Sequence, residues 1–137
     1  MSGPGTPAAD AVVVVIIDGD RLLFIQRGAG TPGGGHWAPL SGKVEHGESQ
    51  ESAVVREAFE EVGLTVRPLR KVWEHPSDIS GYLLHWWLAD YVGGDLVLEP
   101  REVAAARWVT YAEIASLTPT FTHDREFFQQ VFPMARR

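Results

Sequence analysis

The chain contains no cysteine among its 137 residues. This excludes disulfides and thiolate metal ligands, and it suits a reducing compartment, so a cytoplasmic setting is expected. Basic residues are outnumbered: 12 Lys and Arg face 18 Asp and Glu, for a formal net charge of −6. That balance argues against a nucleic-acid polymer as partner. It leaves open a phosphorylated small molecule whose charge a bound cation offsets. Long apolar runs are missing. The longest, Ala11 to Ile17, falls far short of the roughly 20 residues of a spanning helix. It also lacks the basic lead-in of a secretion signal, so no membrane partner is expected. The glycine-rich stretch Gly28 to His36 has no P-loop Lys-Ser/Thr and is not read as a nucleotide cradle.

What is present fits a single domain. The 45% hydrophobic share supplies a real core at this length. There is no internal repeat and no dividing linker. Met1 to Asp10, rich in Gly, Pro and small residues, reads as a disordered tail, leaving residues 11–137 as the domain.

Ala11 to Ile17 reads as a buried strand, and Arg21 to Arg27 as its hairpin partner across Asp18-Gly19-Asp20. Trp37 to Ser41 reads as a short strand. Thr65 to Glu74 reads as another, with Pro68 marking an edge or a bulge. His75 to Gly81 is a loop. Tyr82 to Val92, almost wholly apolar, is expected to be a central strand covered on both faces. Asp95 to Leu98 is expected to return as a strand after Gly93-Gly94, and Arg101 to Val109 to lead into one more. Thr110 to Glu113 matches a capping box. Thr122 is the expected cap of a last helix, His123 to Phe132. The mixture is α+β around a mixed sheet.

The most informative stretch is Gly42 to Leu64. Gln50 to Val62 reads as a helix, with Ser49 as N-cap and Gly63 just beyond the C-terminus. Glu57, Glu60 and Glu61 fall within an arc of about 100° on that helix. Carboxylates three and four residues apart repel, at roughly 0.2–0.5 kcal/mol per exposed pair. Glu60 and Glu61 also occupy the last turn, where the helix dipole favours cations. A divalent cation turns that repulsion into coordination, because Mg²⁺ prefers carboxylate oxygens.

The spacing Gly42, five residues, Glu48, seven residues, Arg56-Glu57, two residues, Glu60-Glu61, one residue, Gly63 resembles the box of the Nudix (MutT-like) hydrolases, with every defined position filled. The resemblance implies the Nudix fold, an α/β/α sandwich with the box as loop–helix–loop. It implies hydrolysis of a nucleoside diphosphate linked to X, with Mg²⁺ (or Mn²⁺) as cofactor and a small nucleotide as partner. Glu57, Glu60 and Glu61 would be metal ligands, one of them also a general base. The Gly42 carbonyl would assist, and the Arg56–Glu48 pair would orient the carboxylates. Many members carry Pro-Gly-Gly where this chain has Leu40-Ser41-Gly42, which bears on the local loop shape.

Outside the box, the resemblance gives Arg27 a substrate phosphate, and Glu102, or its neighbour Glu99, a place at the metal. Against these stand a surface arginine and loop acids. His36 and His46 read as exposed loop histidines, and His85 as a hydrogen-bonded core histidine. Trp37, Trp86, Trp87 and Phe121 are base-stacking candidates or core packing. Specificity is expected in 28–36, 75–81 and 118–124. The leading expectation is a nucleoside triphosphate pyrophosphohydrolase giving a nucleoside monophosphate and pyrophosphate. Tyr82, eighteen residues beyond Leu64, matches some dinucleoside polyphosphate hydrolases, so that class, with nucleotide-sugar hydrolases, is the alternative. A non-catalytic nucleotide sensor is the reading from another class. Monomer and homodimer both stay open.

Overall fold

The structure is a computed structural model, and residues 9–78 and 81–136 are described. The chain runs through β1 (Asp10–Asp18), β2 (Arg21–Arg27), β3 (Trp37–Ala38), β4 (Leu40–Lys43), α1 (Gln50–Val62), β5 (Thr65–Pro76), β6 (Leu83–Gly93) and β7 (Val103–Thr110). A 3-10 helix (Tyr111–Ser116) follows. The C-terminal helix then starts as α2 (Thr122–Glu126), passes through a π-helical turn (Phe127–Val131) and ends as α3 (Phe132–Ala135). Among the described residues the sheet has seven strands in the order β3-β2-β1-β6-β5, with β4 also on β1 and β7 on β2. β1 and β6 pair in parallel; the other pairs are antiparallel.

The sheet is mixed and covered on both faces. Along β1, Val12, Val14 and Ile16 point to the face where Ala53, Val54, Ala58 and Val62 of α1 pack. Val13 and Val15 point the other way, onto a core with Trp86, Phe127, Phe128 and Phe132. Successive strand residues alternate faces, so a strand buried on both sides has no room for polar residues. The two layers make the expected sandwich, and β6 is central as expected.

α1 has the expected bounds. The Ser49 hydroxyl accepts the Ser52 N–H at 3.1 Å, and Gly63 ends the helix at φ 75, a conformation glycine adopts without a Cβ penalty. β5 is an edge strand, and its register shifts between Pro68 and Arg70.

Several expectations change. Asp10 already pairs with Leu83 and belongs to β1; residues 1–8 of the expected tail lie outside the described part. The Trp37–Ser41 strand is split at Pro39, which has no N–H to give to a ladder. Its first half pairs with β2, and its second extends to Lys43 on β1. β5 runs on through His75 and Pro76, shortening the loop that follows; Ile79 and Ser80 within it lie outside the described residues. Asp95 to Leu98 is not a strand. Its backbone donors serve helix carbonyls instead: Val97 N–H reaches Val62 O at 2.9 Å, and Glu99 N–H reaches Glu61 O at 2.8 Å. The last helix is preceded by Phe121, not capped by Thr122, and continues past Pro133 to Ala135. The capping box at Thr110–Glu113 forms, with the Glu113 carboxylate accepting the Thr110 N–H at 2.8 Å, and opens a 3-10 turn.

Candidate active site

One side of α1 and the ends of β2, β4 and β7 enclose a cavity of about 710 Å³. Its acidic end is organised by Arg56. The Arg56 guanidinium holds Glu48 through two bonds, Nε to Oε2 at 2.8 Å and Nη2 to Oε1 at 2.9 Å. Nη2 also donates to Lys43 O at 2.9 Å, and Nη1 to Glu57 Oε1 at 2.8 Å and to Glu60 Oε2 at 3.1 Å. The planar fork thus ties the loop before α1 to the helix. Its hydrogen bonds to Glu48 hold that carboxyl down at about 2 and raise the arginine's own value.

Glu57 and Glu61 are buried, at 8% and 4% exposure. The Glu57 carboxyl lies on the Gly42 backbone so closely that a Cβ there would fall 2.0 Å from its Cδ. No residue but glycine leaves that space. Burial raises the Glu57 carboxyl against the pull of Glu61 and Arg56. Glu61 is pushed up to about 10, first by burial, then by the adjoining carboxyls of Glu57 and Glu102. Its Oε2 has no hydrogen-bond partner among the described residues.

Glu102 reaches this cluster because the segment before β7 is fastened from both sides. Gly28 N–H donates to Glu102 O at 2.8 Å. The Glu99 carboxylate accepts the backbone N–H groups of Arg101 and Glu102, each at 2.9 Å. Of the two acids left open by the sequence, Glu102 lines the cavity and Glu99 shapes the loop that presents it.

Arg27 lines the cavity at the end of β2, its Nε on Pro32 O at 2.8 Å and its Nη1 on Ser41 Oγ at 3.3 Å. Tyr82 also lines it, just before β6, with the Lys43 ammonium 5.6 Å above its ring. Glu60 stands apart: its side chain is 57% exposed, paired to Arg56, and outside the cavity lining. His46 is exposed on the surface. His36 stacks on Phe121 with ring centroids 4.4 Å apart. His85 is a core histidine, Nε2 2.9 Å from Asp10 Oδ1. Trp86 stacks on Phe127 in the core, and the Trp87 indole donates to Gln50 Oε1 at 2.9 Å. Of the four stacking candidates, Phe121 alone lines the cavity, among the described residues.

His75, His123 and Asp124 fall in two of the loops expected to carry specificity, 75–81 and 118–124, where nothing in the sequence singles them out. All three line the cavity. No spacing marks them; they meet because α2 packs over the sheet face to which edge strand β5 turns His75.

Among the described residues, no three acids or histidines stand ready-made as a coordination shell. The donor chemistry nevertheless fits a hard divalent cation. Three carboxyls adjoin one another, two are buried, and one buried oxygen is left unsatisfied, an arrangement short of positive charge even with Arg56 on Glu57.

The fold is a mixed sheet between helices, and it turns helix-borne carboxylates toward a cavity. The family profile described as NUDIX domain matches residues 7–131, so the chain belongs to the Nudix hydrolases. It is 34% identical over 128 residues to the NAD-capped RNA hydrolase NudC of Shigella flexneri, covering 93% of this chain and 49% of that protein. The chain therefore spans about half the length of the curated relatives it matches. Among solved structures it is similar to the MutT protein of Methanosarcina mazei Go1, with a TM-score of 0.82 at 23% identity over 98% of this chain and 100% of the other. It is also similar to the E. coli ORF135 protein, with a TM-score of 0.73 at 28% identity over 93% and 90%. Nudix hydrolases generally use divalent metals and act on small nucleotides. No helix among the described residues is long and apolar enough to cross a membrane.

Proposed function

We propose that this domain, which begins with β1 at Asp10, is a divalent-cation-dependent nucleoside triphosphate pyrophosphohydrolase, acting in the cytoplasm and releasing a nucleoside monophosphate and pyrophosphate. The observation that carries the reading is the meeting of Glu57, Glu61 and Glu102 at one end of a nucleotide-sized cavity that Arg27 also lines. Mg²⁺ or Mn²⁺ would be held by these carboxylates with the Gly42 carbonyl, neutralising phosphate oxygens and acidifying water. Glu60, four residues from Arg56, is the further ligand that the box suggests, once its pairing with Arg56 is exchanged.

The chain's own groups do the rest. Arg27 presents a guanidinium to a phosphate, a geometry it meets bidentately. Arg56, fixed by Glu48, holds Glu57 in one orientation. Burial and acidic neighbours favour the protonated form of Glu61; once that proton is lost beside a bound cation, its carboxylate is the group placed to act as general base. Tyr82 offers a ring face to the rest of the substrate.

A dinucleotide or nucleotide-sugar substrate is the second reading. It is favoured by the aromatic lining beyond the acids and by a relative named for NAD-capped RNA. A panel of nucleoside triphosphates, diadenosine tetraphosphate, NAD and nucleotide sugars, assayed with and without Mg²⁺, separates the two. Binding without turnover on every member of the panel would point instead to a nucleotide sensor.

A further inference from the structure

The cavity continues past Arg27 into a region the reaction chemistry does not use. Rings line it: Phe121, His75 and His123, the last two with centroids 4.2 Å apart. Asp124 lines it too.

Cationic groups lie near Asp124, but among the described residues none is bonded to its carboxyl. His75 is fixed as a neutral imidazole. Its Nε2 accepts the Trp86 indole N–H at 3.0 Å, which leaves Nδ1–H to donate to Pro76 O at 2.9 Å. His123 is already matched, with Nε2 3.1 Å from Asp78 Oδ2 and Nδ1 3.7 Å from Glu126 Oε1. Arg125 is turned to Thr120, bonding its carbonyl at 3.2 Å and its hydroxyl at 3.0 Å. Arg27 is tied to Pro32 and Ser41 and, on the reading above, is drawn toward phosphate. The Asp124 side chain has no hydrogen bond to any described residue. Burial outweighs the influence of Arg27, His123 and Arg125 and raises its carboxyl to about 7. A carboxylate in poorly solvated surroundings, without a committed partner, is costly until a cation or a donor arrives. The Phe121 ring, which lines the same cavity, adds a second attraction for positive charge.

We infer that this end of the cavity selects substrates whose ring system carries a positive charge, an N-alkylated heteroaromatic, over neutral rings of nearly the same shape, and that Asp124 makes the distinction. The inference rests on the cavity being the substrate site, and it names the substrate class more narrowly than the reaction does.

Two matched pairs test it: NAD⁺ against NADH, and 7-methyl-GTP against GTP. Dissociation constants come from calorimetry in metal-free buffer near pH 8, where the Asp124 carboxylate is charged, and kcat/KM from parallel assays with Mg²⁺. The cationic member of each pair is expected to bind about tenfold or more tightly, with the ratio falling toward one in Asp124→Asn. Equal affinities within both pairs, a ratio untouched by Asp124→Asn, or no saturable binding of any of the four overturns the inference. Discrimination in calorimetry without turnover upholds the selectivity and refutes the reaction proposed above.

Discussion

Asp124 also carries a stability prediction that needs no substrate. Its carboxyl rises from an ordinary 3.8 to about 7, chiefly through burial. Folding therefore binds a proton more tightly than the unfolded chain does. The contribution is fully present below about 3.8 and is lost as pH rises through about 7, because only the unfolded chain ionises freely in between. At about 1.36 kcal/mol per pH unit, the native state forgoes about 4 kcal/mol by about pH 8. The side chain keeps partial access to water, which screens the charge, so about 2–4 kcal/mol is the expected range. Asparagine has nearly the same shape and never ionises. Asp124→Asn is thus expected to be more stable than the parent by that amount at about pH 8, by about 1.5 kcal/mol at about pH 5, by about 0.5 kcal/mol at about pH 4, and by almost nothing at about pH 3. Urea denaturation at each pH, with m-values compared, reads this directly. A variant no more stable at alkaline pH would refute the reasoning. So would a gain of constant size, which would mean that shape or a new hydrogen bond had acted instead of charge.

Three further outcomes are expected. Glu61→Gln should lower kcat about a hundredfold or more while circular dichroism stays native, because a charged ligand and base is lost with little change in shape; near-parent turnover would remove Glu61 from the mechanism. Gly42→Ala should displace the Glu57 carboxyl, since its Cβ falls 2.0 Å from Glu57 Cδ. A fall in kcat of about a hundredfold and a stability loss of about 1–3 kcal/mol are expected, checked by kinetics and melting. Arg56→Lys cannot reproduce the fork that binds Glu48, Glu57 and Lys43 O together. A loss of about 1–3 kcal/mol at neutral pH is expected, shrinking as acid protonates Glu48 from its usual range down toward about 2, as titrated denaturation would show.

The parts of this molecule that were legible in the sequence are those that local rules decide. The α1 boundaries follow from Ser49 and Gly63, whose capping needs no tertiary partner. The near-continuous apolar runs of β1 and β6 record burial on both faces, and so an interior position in the sheet. The Arg56–Glu48 link spans eight residues and is fixed by the helix and the turn before it. What eluded the sequence depends on partners far along the chain. Asp95–Leu98 carries a strand's residues, but its backbone bonds go to α1, and no periodicity announces that choice. Glu60 shares its helix face with Glu57 and Glu61 in the pattern, yet Arg56 holds it outward. Asp124 looks like any first-turn acid; only the packing of α2 over the sheet turns it toward the cavity.

The segment that failed to become a strand explains how the acid outside the box reaches the acids inside it. A helix C-terminus leaves its last carbonyls without partners, and α1 also lacks a basic residue in its last turn. Val97 and Glu99 supply the missing donors through their backbone N–H groups, at 2.9 and 2.8 Å from Val62 O and Glu61 O. The same Glu99 then folds its carboxylate back over the N–H groups of Arg101 and Glu102. Glu102 is therefore registered against Glu61 through one residue that touches both segments. Glu99 is a positioning residue on this account, so Glu99→Ala should act through Glu102. The bonds it removes are exposed, and a stability loss of about 1 kcal/mol or less is expected. The cost should appear in Mg²⁺ affinity, with the concentration for half-maximal rate rising about tenfold, a size usual for supporting groups around a metal. Glu99→Gln, which keeps one acceptor, should recover part of it. If Glu102→Ala raises the Mg²⁺ requirement and Glu99→Ala does not, Glu102 is held by the loop's other fastening at Gly28, and the role given to Glu99 is wrong.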